Sequence, residues 1–279
     1  LRGDWLTQGE MVPTFEQAIT ERVGAKYAVA MNSATSALHL ACLALEVGPG
    51  DIVWTSANSF VASANCALYC GASVDFIDID QKTYNISISA LEKKLSKAKL
   101  VDKLPKVLIP VHLTGLSCDM SEICRLSEQY GFRVIEDASH AIGSKYKNEP
   151  VGSCKWSDIT IFSFHPVKII TSGEGGMALT NSNELSNRMQ LLRTSGITKD
   201  PISFEKKEQP APWYYEQLML GYNYRMNDIQ AALGASQMRR LDNFLDKRNI
   251  LAKNYNMLLS DNDFQLPVSD DDYFSSFHL

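Results

Sequence analysis

The stretch from Asp158 to Gly176, DITIFSFHPVKIITSGEGG, sets one lysine, Lys168, among apolar neighbours between a β-branched and aromatic run and a glycine cluster. A cation there costs desolvation free energy. Val167, Ile169 and Ile170 are expected to lower the ammonium pKa, which makes Lys168 a nucleophile able to form a Schiff base with a carbonyl. A strand-end lysine snorkelling to water would carry the same local pattern, so its companions decide. In VIEDASHA, residues 134–141, an apolar strand ends in Glu136 and Asp137, which places at least one carboxylate at the C-terminal edge of a sheet, where α/β folds bind ligands. In NSATSALH, residues 32–39, a strand over 27–31 runs into small hydroxyl residues that open a helix, and a helix N-terminus with unpaired N–H groups receives anions.

A lysine for an imine, an aspartate for a protonated pyridine nitrogen, and a helix N-terminus with a hydroxyl for a phosphate are the contacts that pyridoxal phosphate requires. The elements that must position them alternate. Strands are expected at 27–31, 52–55, 107–111, 133–136, 159–163 and 176–180, with an alternating strand over 74–80. Helices are expected over 14–23, 35–45, 59–70 (with Phe60 near its start), 121–130 and 184–194, and another ending near Ala98 behind a capping box of Ser89 and Glu92. This βα alternation implies an α/β three-layer domain with a mostly parallel sheet. Residues 195–221, with Pro201, Pro210 and Pro212, read as a long loop carrying Trp213, Tyr214 and Tyr215. After GYNYRMN a long helix capped by Asn227 is expected, with Ile229, Leu233, Gln237 and Leu241 along one face. His112, after an apolar strand, reads as a satisfied structural group.

The set NSATSALH, EDASHA, SFHPVK, GEGG and GYNYR resembles the DegT/DnrJ/EryC1/StrS family of sugar aminotransferases, in the right order over nearly the whole chain. The resemblance implies the fold type I of pyridoxal phosphate-dependent transferases, like aspartate aminotransferase. It also implies a large domain over 1–238 with an N-terminal arm over 1–13, then a linking helix and the start of an incomplete small domain over 239–279. Carried over residue by residue, it makes Lys168 the carrier of the cofactor and the proton-transfer group, and Asp137 the partner of the pyridine nitrogen. His140 falls near the phenolic oxygen and Phe60 against the ring, with Ala34, Thr35 and Ser163 at the phosphate. Asn223, with Arg225 beside it, would reach the phosphate of a neighbouring subunit, which implies a homodimer with active sites completed across the interface. LTQG, residues 6–9, would lie near the sugar nucleotide. LTQG and SFHPVK with the GEGG turn most resemble the members that aminate C4 of a UDP-linked 4-keto-6-deoxy-HexNAc in pseudaminic acid synthesis, with L-glutamate as donor. Three other readings stay open: a sugar dehydratase, in which a histidine replaces the lysine and for which His165 is near enough to matter; a cysteine desulfurase-like lyase; and a non-catalytic relative that binds nucleotide sugars.

Composition narrows the rest. The 279 residues are 45% hydrophobic and 21% charged with a net charge of −5, an ordinary globular balance that lacks the basic run a nucleic-acid binder needs. Two uncharged stretches, 27–45 and 52–74, are interrupted by Asn, Ser and Thr and split into strand, turn and helix, so no membrane span is expected. Six cysteines show neither CxxC nor metal-ligand spacing, so no metal site is expected and a reducing cytoplasm fits. No signal-peptide pattern opens the chain, which begins at Leu1 and stops at Phe277, His278 and Leu279 in the manner of a fragment. The glycines at 173, 175 and 176 fit neither a Walker nor a Rossmann spacing.

Overall fold

A computed structural model describes residues 5–204, 211–260, 265–268 and 270–279. Residues 1–4 of the expected arm, Pro210, and residues 261–264 and 269 of the expected small domain lie outside the described residues. In chain order the elements are α1 (Met11–Val23), β1 (Tyr27–Met31), α2 (Ala34–Ala44), β2 (Ile52–Ser56), α3 (Ala62–Tyr69), β3 (Ser73–Ile77), α4 (Ile88–Leu100), β4 (Val107–Ile109), α5 (Met120–Tyr130) and β5 (Arg133–Asp137). There follow β6 (Lys145–Tyr146), β7 (Glu149–Pro150), β8 (Ile159–Ser163), β9 (Gly176–Thr180), α6 (Asn183–Arg193), β10 (Ile197–Thr198), β11 (Glu216–Gln217), α7 (Asp228–Met238), α8 (Leu241–Leu259) and β12 (Tyr273–Phe274).

Among the described residues, seven strands form one sheet in the order β1-β9-β8-β5-β4-β2-β3. The run β8-β5-β4-β2-β3 is parallel, and β9 lies antiparallel between β1 and β8. The period of two along each strand sends alternate side chains into different helix layers. Val29 and Met31 pack with α2, whereas Ala28 and Ala30 pack with Phe15 and Ile19 of α1 and Ala231 of α7. On β5, Ile135 joins the first layer and Val134 the layer of α4 and α5. The three-layer α/β architecture expected from the alternation is therefore present.

Several local expectations need correction. The third helix starts at Ala62 and not at Ser59, because the Ser59 hydroxyl bonds Phe60 O (3.3 Å) and Ser63 Oγ (2.7 Å) and caps no N–H. Ser87, and not Ser89, caps α4 by accepting from Ala90 N at 3.3 Å, while Glu92 pairs across to Arg125 of α5 at 2.5 Å. β4 ends at Ile109 because Pro110 has no N–H to continue the ladder, and Val111 rejoins only as a bridge to Asp137. The long helix is two, α7 and α8, broken at Arg239 and Arg240. The face of α7 that carries Ile229 and Leu233 is exposed; Ala231, Gly234 and Ala235 are the buried positions, since only small residues let α7 approach the Phe15 ring of α1 this closely. Asn227 caps α7 as expected, in a full capping box with Gln230.

Leu241 and Leu245 of α8 bury in the core that holds Phe15 and Phe164, and β12 pairs with β6, which pairs with β7. Among the described residues all six cysteines are free thiols, and no helix is long and apolar enough to cross a membrane.

Candidate active site

A cavity of about 330 Å³ opens over the C-terminal ends of β5 and β8, walled by α2 and the loop after β8. Seven of the eight site residues expected from sequence line it: Ala34, Thr35, Phe60, Asp137, His140, Ser163 and Lys168. Residues up to 134 positions apart in the chain, Ala34 and Lys168, thus meet only because parallel strands end at one edge.

Strand alternation settles which carboxylate serves the cavity. Asp137 follows Ile135 by two and shares its face with α2 and α3. Its Oδ2 accepts from Ser63 Oγ at 2.6 Å and its Oδ1 from Ser139 N at 3.1 Å. Glu136 faces the opposite layer, where its oxygens accept from His112 Nε2 (2.7 Å), Thr160 Oγ1 (3.1 Å) and Ser157 Oγ. Burial would raise the Glu136 pKa, but His112 and the two hydroxyls outweigh it and hold the carboxylate below the ordinary glutamate range. Glu136 and His112 are a structural pair, as expected for His112.

Lys168 sits on a loop closed by Phe164 N to Gly175 O (2.8 Å), Ser172 N to Phe164 O (3.0 Å) and Lys168 N to His165 O (2.9 Å). Its ammonium is half-buried. Burial pushes its pKa below the usual lysine value, with the Asp137 charge acting the other way. Of the three apolar neighbours, Ile169 and Ile170 are buried, whereas Val167 is 61% exposed. His165 also lines the cavity, but near its mouth, 3.8 Å from Glu174.

At the anion end, Ser33 caps α2 through Ser36 N at 3.0 Å, which leaves the N–H groups of Ala34 and Thr35 without helical acceptors. Gly176 makes this possible: a Cβ there would collide with the backbone of Ser33 and Ala34, so only glycine lets β9 pass beneath the start of α2. Phe60 stands at the cavity 71% exposed.

His140 Nδ1 accepts the Thr114 N–H at 3.3 Å, so the neutral ring carries its proton on Nε2. Burial first, then the Lys168 charge, lower its pKa to about 4, against a smaller opposing effect of Asp137. The cavity therefore holds a neutral imidazole donor beside a lysine of lowered basicity.

Asn223 lies outside the cavity, exposed, on a segment bridged to Thr194. The LTQG residues are tied to α7: Asp228 accepts from Gly9 N (2.8 Å) and Met11 N (2.9 Å). Gln8 and Gly9 line a separate space of about 250 Å³ with Arg193 and Arg225. Sequence reasoning missed Ser63, Thr114 and the His278 ring, tilted by 34° over His140 with centroids 4.3 Å apart. A signal existed for Ser63, which lies one helical turn after Ser59; none existed for His278, 138 residues from its partner. Among the described residues no group of His, Cys, Asp and Glu could hold a metal ion.

The donor set fits pyridoxal phosphate: a lysine of lowered basicity, a buried carboxylate with two fixed donors, unpaired helix N–H groups and a neutral imidazole surround one space. A model of the DegT/DnrJ/EryC1/StrS aminotransferase family matches residues 1–279. The UDP-4-amino-4,6-dideoxy-N-acetyl-beta-L-altrosamine transaminase of Campylobacter jejuni is 42% identical over 282 residues, 100% of this chain and 70% of that protein. The structure of Helicobacter pylori PseC, an aminotransferase involved in the biosynthesis of pseudoaminic acid, superposes with a TM-score of 0.86 at 34% identity, covering 99% of this chain and 70% of that one. The PLP form of Spr1654 from Streptococcus pneumoniae gives 0.85 at 28% identity, covering 99% and 71%. The chain spans 61% to 70% of the length of six curated relatives that it matches.

Proposed function

This chain belongs to the DegT/DnrJ/EryC1/StrS aminotransferase family, whose members depend on pyridoxal phosphate and share the fold type I found here, and we propose that it moves an amino group from an amino acid to C4 of a nucleotide-linked 4-keto-6-deoxy sugar. The observation that carries the reading is the convergence of Lys168, Asp137, His140, Ser163 and the α2 N-terminus on one cavity. The similarity to the Campylobacter transaminase and to Helicobacter PseC favours a UDP-linked HexNAc as acceptor, for surface polysaccharide or nonulosonic acid synthesis. L-Glutamate is the proposed donor.

When bound, pyridoxal phosphate supplies an electron sink for the carbanion left at the donor's α-carbon. Lys168 would hold the cofactor until the donor's amino group displaces it, and its lowered basicity would then let the freed amine take the α-proton and return it as an ammonium. Asp137, fixed by Ser63 and Ser139, would pair with the ring nitrogen and keep a proton on it. His140 offers Nε2–H to the phenolic oxygen. Ala34, Thr35 and Ser163 hold the phosphate. The large and small domains are proposed to divide near residue 238. Exposed Asn223 is proposed to serve the cavity of a second copy, in a homodimer working in the cytoplasm.

The test is an absorption spectrum with pyridoxal phosphate before and after borohydride, with peptide mapping of the reduced adduct. A visible band that borohydride removes and a label on Lys168 are expected, followed by amination of UDP-4-keto-6-deoxy-HexNAc with glutamate. A label on another lysine overturns the assignment, and elimination in place of amination overturns the reaction class.

A further inference from the structure

The chain's last five described residues return to the active site from outside it. Ser276 N donates to Ser144 Oγ at 3.1 Å, Ser276 Oγ donates to His140 O at 2.9 Å, and His278 N donates to Thr114 O at 2.7 Å. Arg248 of α8 clamps the same strap through Phe277 O at 2.8 Å and His278 O at 3.2 Å. Gly115, at φ +102°, is what admits it: a Cβ there would lie 3.1 Å from both His140 O and Phe277 N and collide with Ser276 Oγ. The strap seats the His278 ring over the His140 ring with centroids 4.3 Å apart and planes 34° apart. His278 is 8% exposed, and its Nδ1 is buried without a hydrogen-bond partner.

We propose that His278 is a positioning residue for His140: its ring face presses the His140 imidazole against the Thr114 N–H, which fixes the proton of His140 on Nε2, the nitrogen left to serve the cavity. Both elements of the lock meet at Thr114, whose N–H binds His140 and whose C=O binds the His278 backbone. The charged and titratable groups facing His140 are Lys168 and Asp137; those facing His278 are His140, Lys168 and Arg248. Burial first, then the neighbouring His140, Lys168 and Arg248, lower the His278 pKa to about 3, so the ring pair stays uncharged while Lys168 carries or releases its proton. The role in catalysis rests on the function proposed above. The tautomer does not.

The experiment is therefore a long-range ¹H–¹⁵N spectrum of the imidazoles in protein free of cofactor, recorded from pH 8 to pH 4 on the natural chain and on His278→Phe and His278→Ala. The natural chain and His278→Phe, which keeps a ring face, are expected to show His140 with Nε2 protonated throughout the neutral range. His278→Ala is expected to mix the two tautomers and to raise the His140 midpoint by roughly one pH unit or more toward the ordinary value. In the loaded enzyme kcat should fall about tenfold in His278→Ala and stay near the natural value in His278→Phe, with KM little changed in either. An unchanged tautomer in His278→Ala, or mixing in His278→Phe equal to that in His278→Ala, overturns the proposal. Should His278→Ala fail to fold, His278→Asn, polar but without a ring face, must show the same mixing. Absence of cofactor binding in the natural chain would refute the proposed function and leave the spectra to decide the clamp.

Discussion

Exchanging Glu136 and Asp137 one at a time separates stability from chemistry at neighbouring positions. Glu136→Gln puts an amide where three donors converge: His112 Nε2 at 2.7 Å, Thr160 Oγ1 at 3.1 Å and Ser157 Oγ. A glutamine has one acceptor and one donor end, so at least one buried donor then faces an NH2. His112 cannot turn away, because its Nδ1 accepts the Cys118 N–H at 3.1 Å. The loss of charge-assisted bonds plus the mismatch comes to about 2–4 kcal/mol. At about 2–4 °C per kcal/mol for a domain of this size, melting should fall by roughly 5–12 °C. Cofactor affinity should stay within about twofold, since Glu136 faces away from the cavity. Asp137→Asn should do the reverse. The amide oxygen still accepts from Ser63, so melting should shift little, but the ionic partner of the ring nitrogen is gone and Kd should rise about 10- to 100-fold, or roughly 1.4–2.8 kcal/mol. Thermal melts and cofactor titrations on both variants read these quantities independently. A tenfold loss of affinity in Glu136→Gln with unchanged melting would refute the assignment of the two carboxylates to opposite faces of β5.

Ser63→Ala removes the 2.6 Å donor to Asp137 Oδ2 inside a fully buried turn of α3; a stability loss of about 1–2 kcal/mol and a several-fold rise in cofactor Kd are expected, and an unchanged Kd would show that Ser139 alone orients the carboxylate. Acid stability tests the histidine stack. His140 and His278 have folded pKa values of about 4 and about 3, below the ordinary 6.5, so the unfolded chain binds protons first and stability is lost as pH falls from 6.5 toward 3. His278→Phe removes one of these groups and should flatten the decline, by about 1 kcal/mol at pH 5 after allowance for solvent screening. Equal slopes in denaturant midpoint against pH for the two proteins would contradict the lowered His278 value.

The chemistry and the scaffold were legible in the sequence because both are written in local patterns. Apolar runs ending in Ser163, Asp137 and Met31 marked strands, and small hydroxyl residues after Met31 marked a helix start. Residues confined to the ends of such strands must share one edge if the sheet is parallel, which is why seven of the eight expected site residues line one cavity. Boundaries were less legible wherever a side chain chose a tertiary partner over a local one, as Glu92 chose Arg125. Which face of α7 is buried was not written in hydrophobicity: Ile229 and Leu233 are exposed, because the Phe15 ring demands small residues on the packed face.

By itself the sequence determined the fold class and singled out the lysine, the two candidate carboxylates and the helix start after β1 as candidates, since each follows from residue type and short-range period. The tertiary structure alone decided that Asp137 and not Glu136 enters the cavity, that Ser63 fixes it, and that His278 covers His140. Those facts depend on which faces of distant elements are pressed together, and no period in the chain records that.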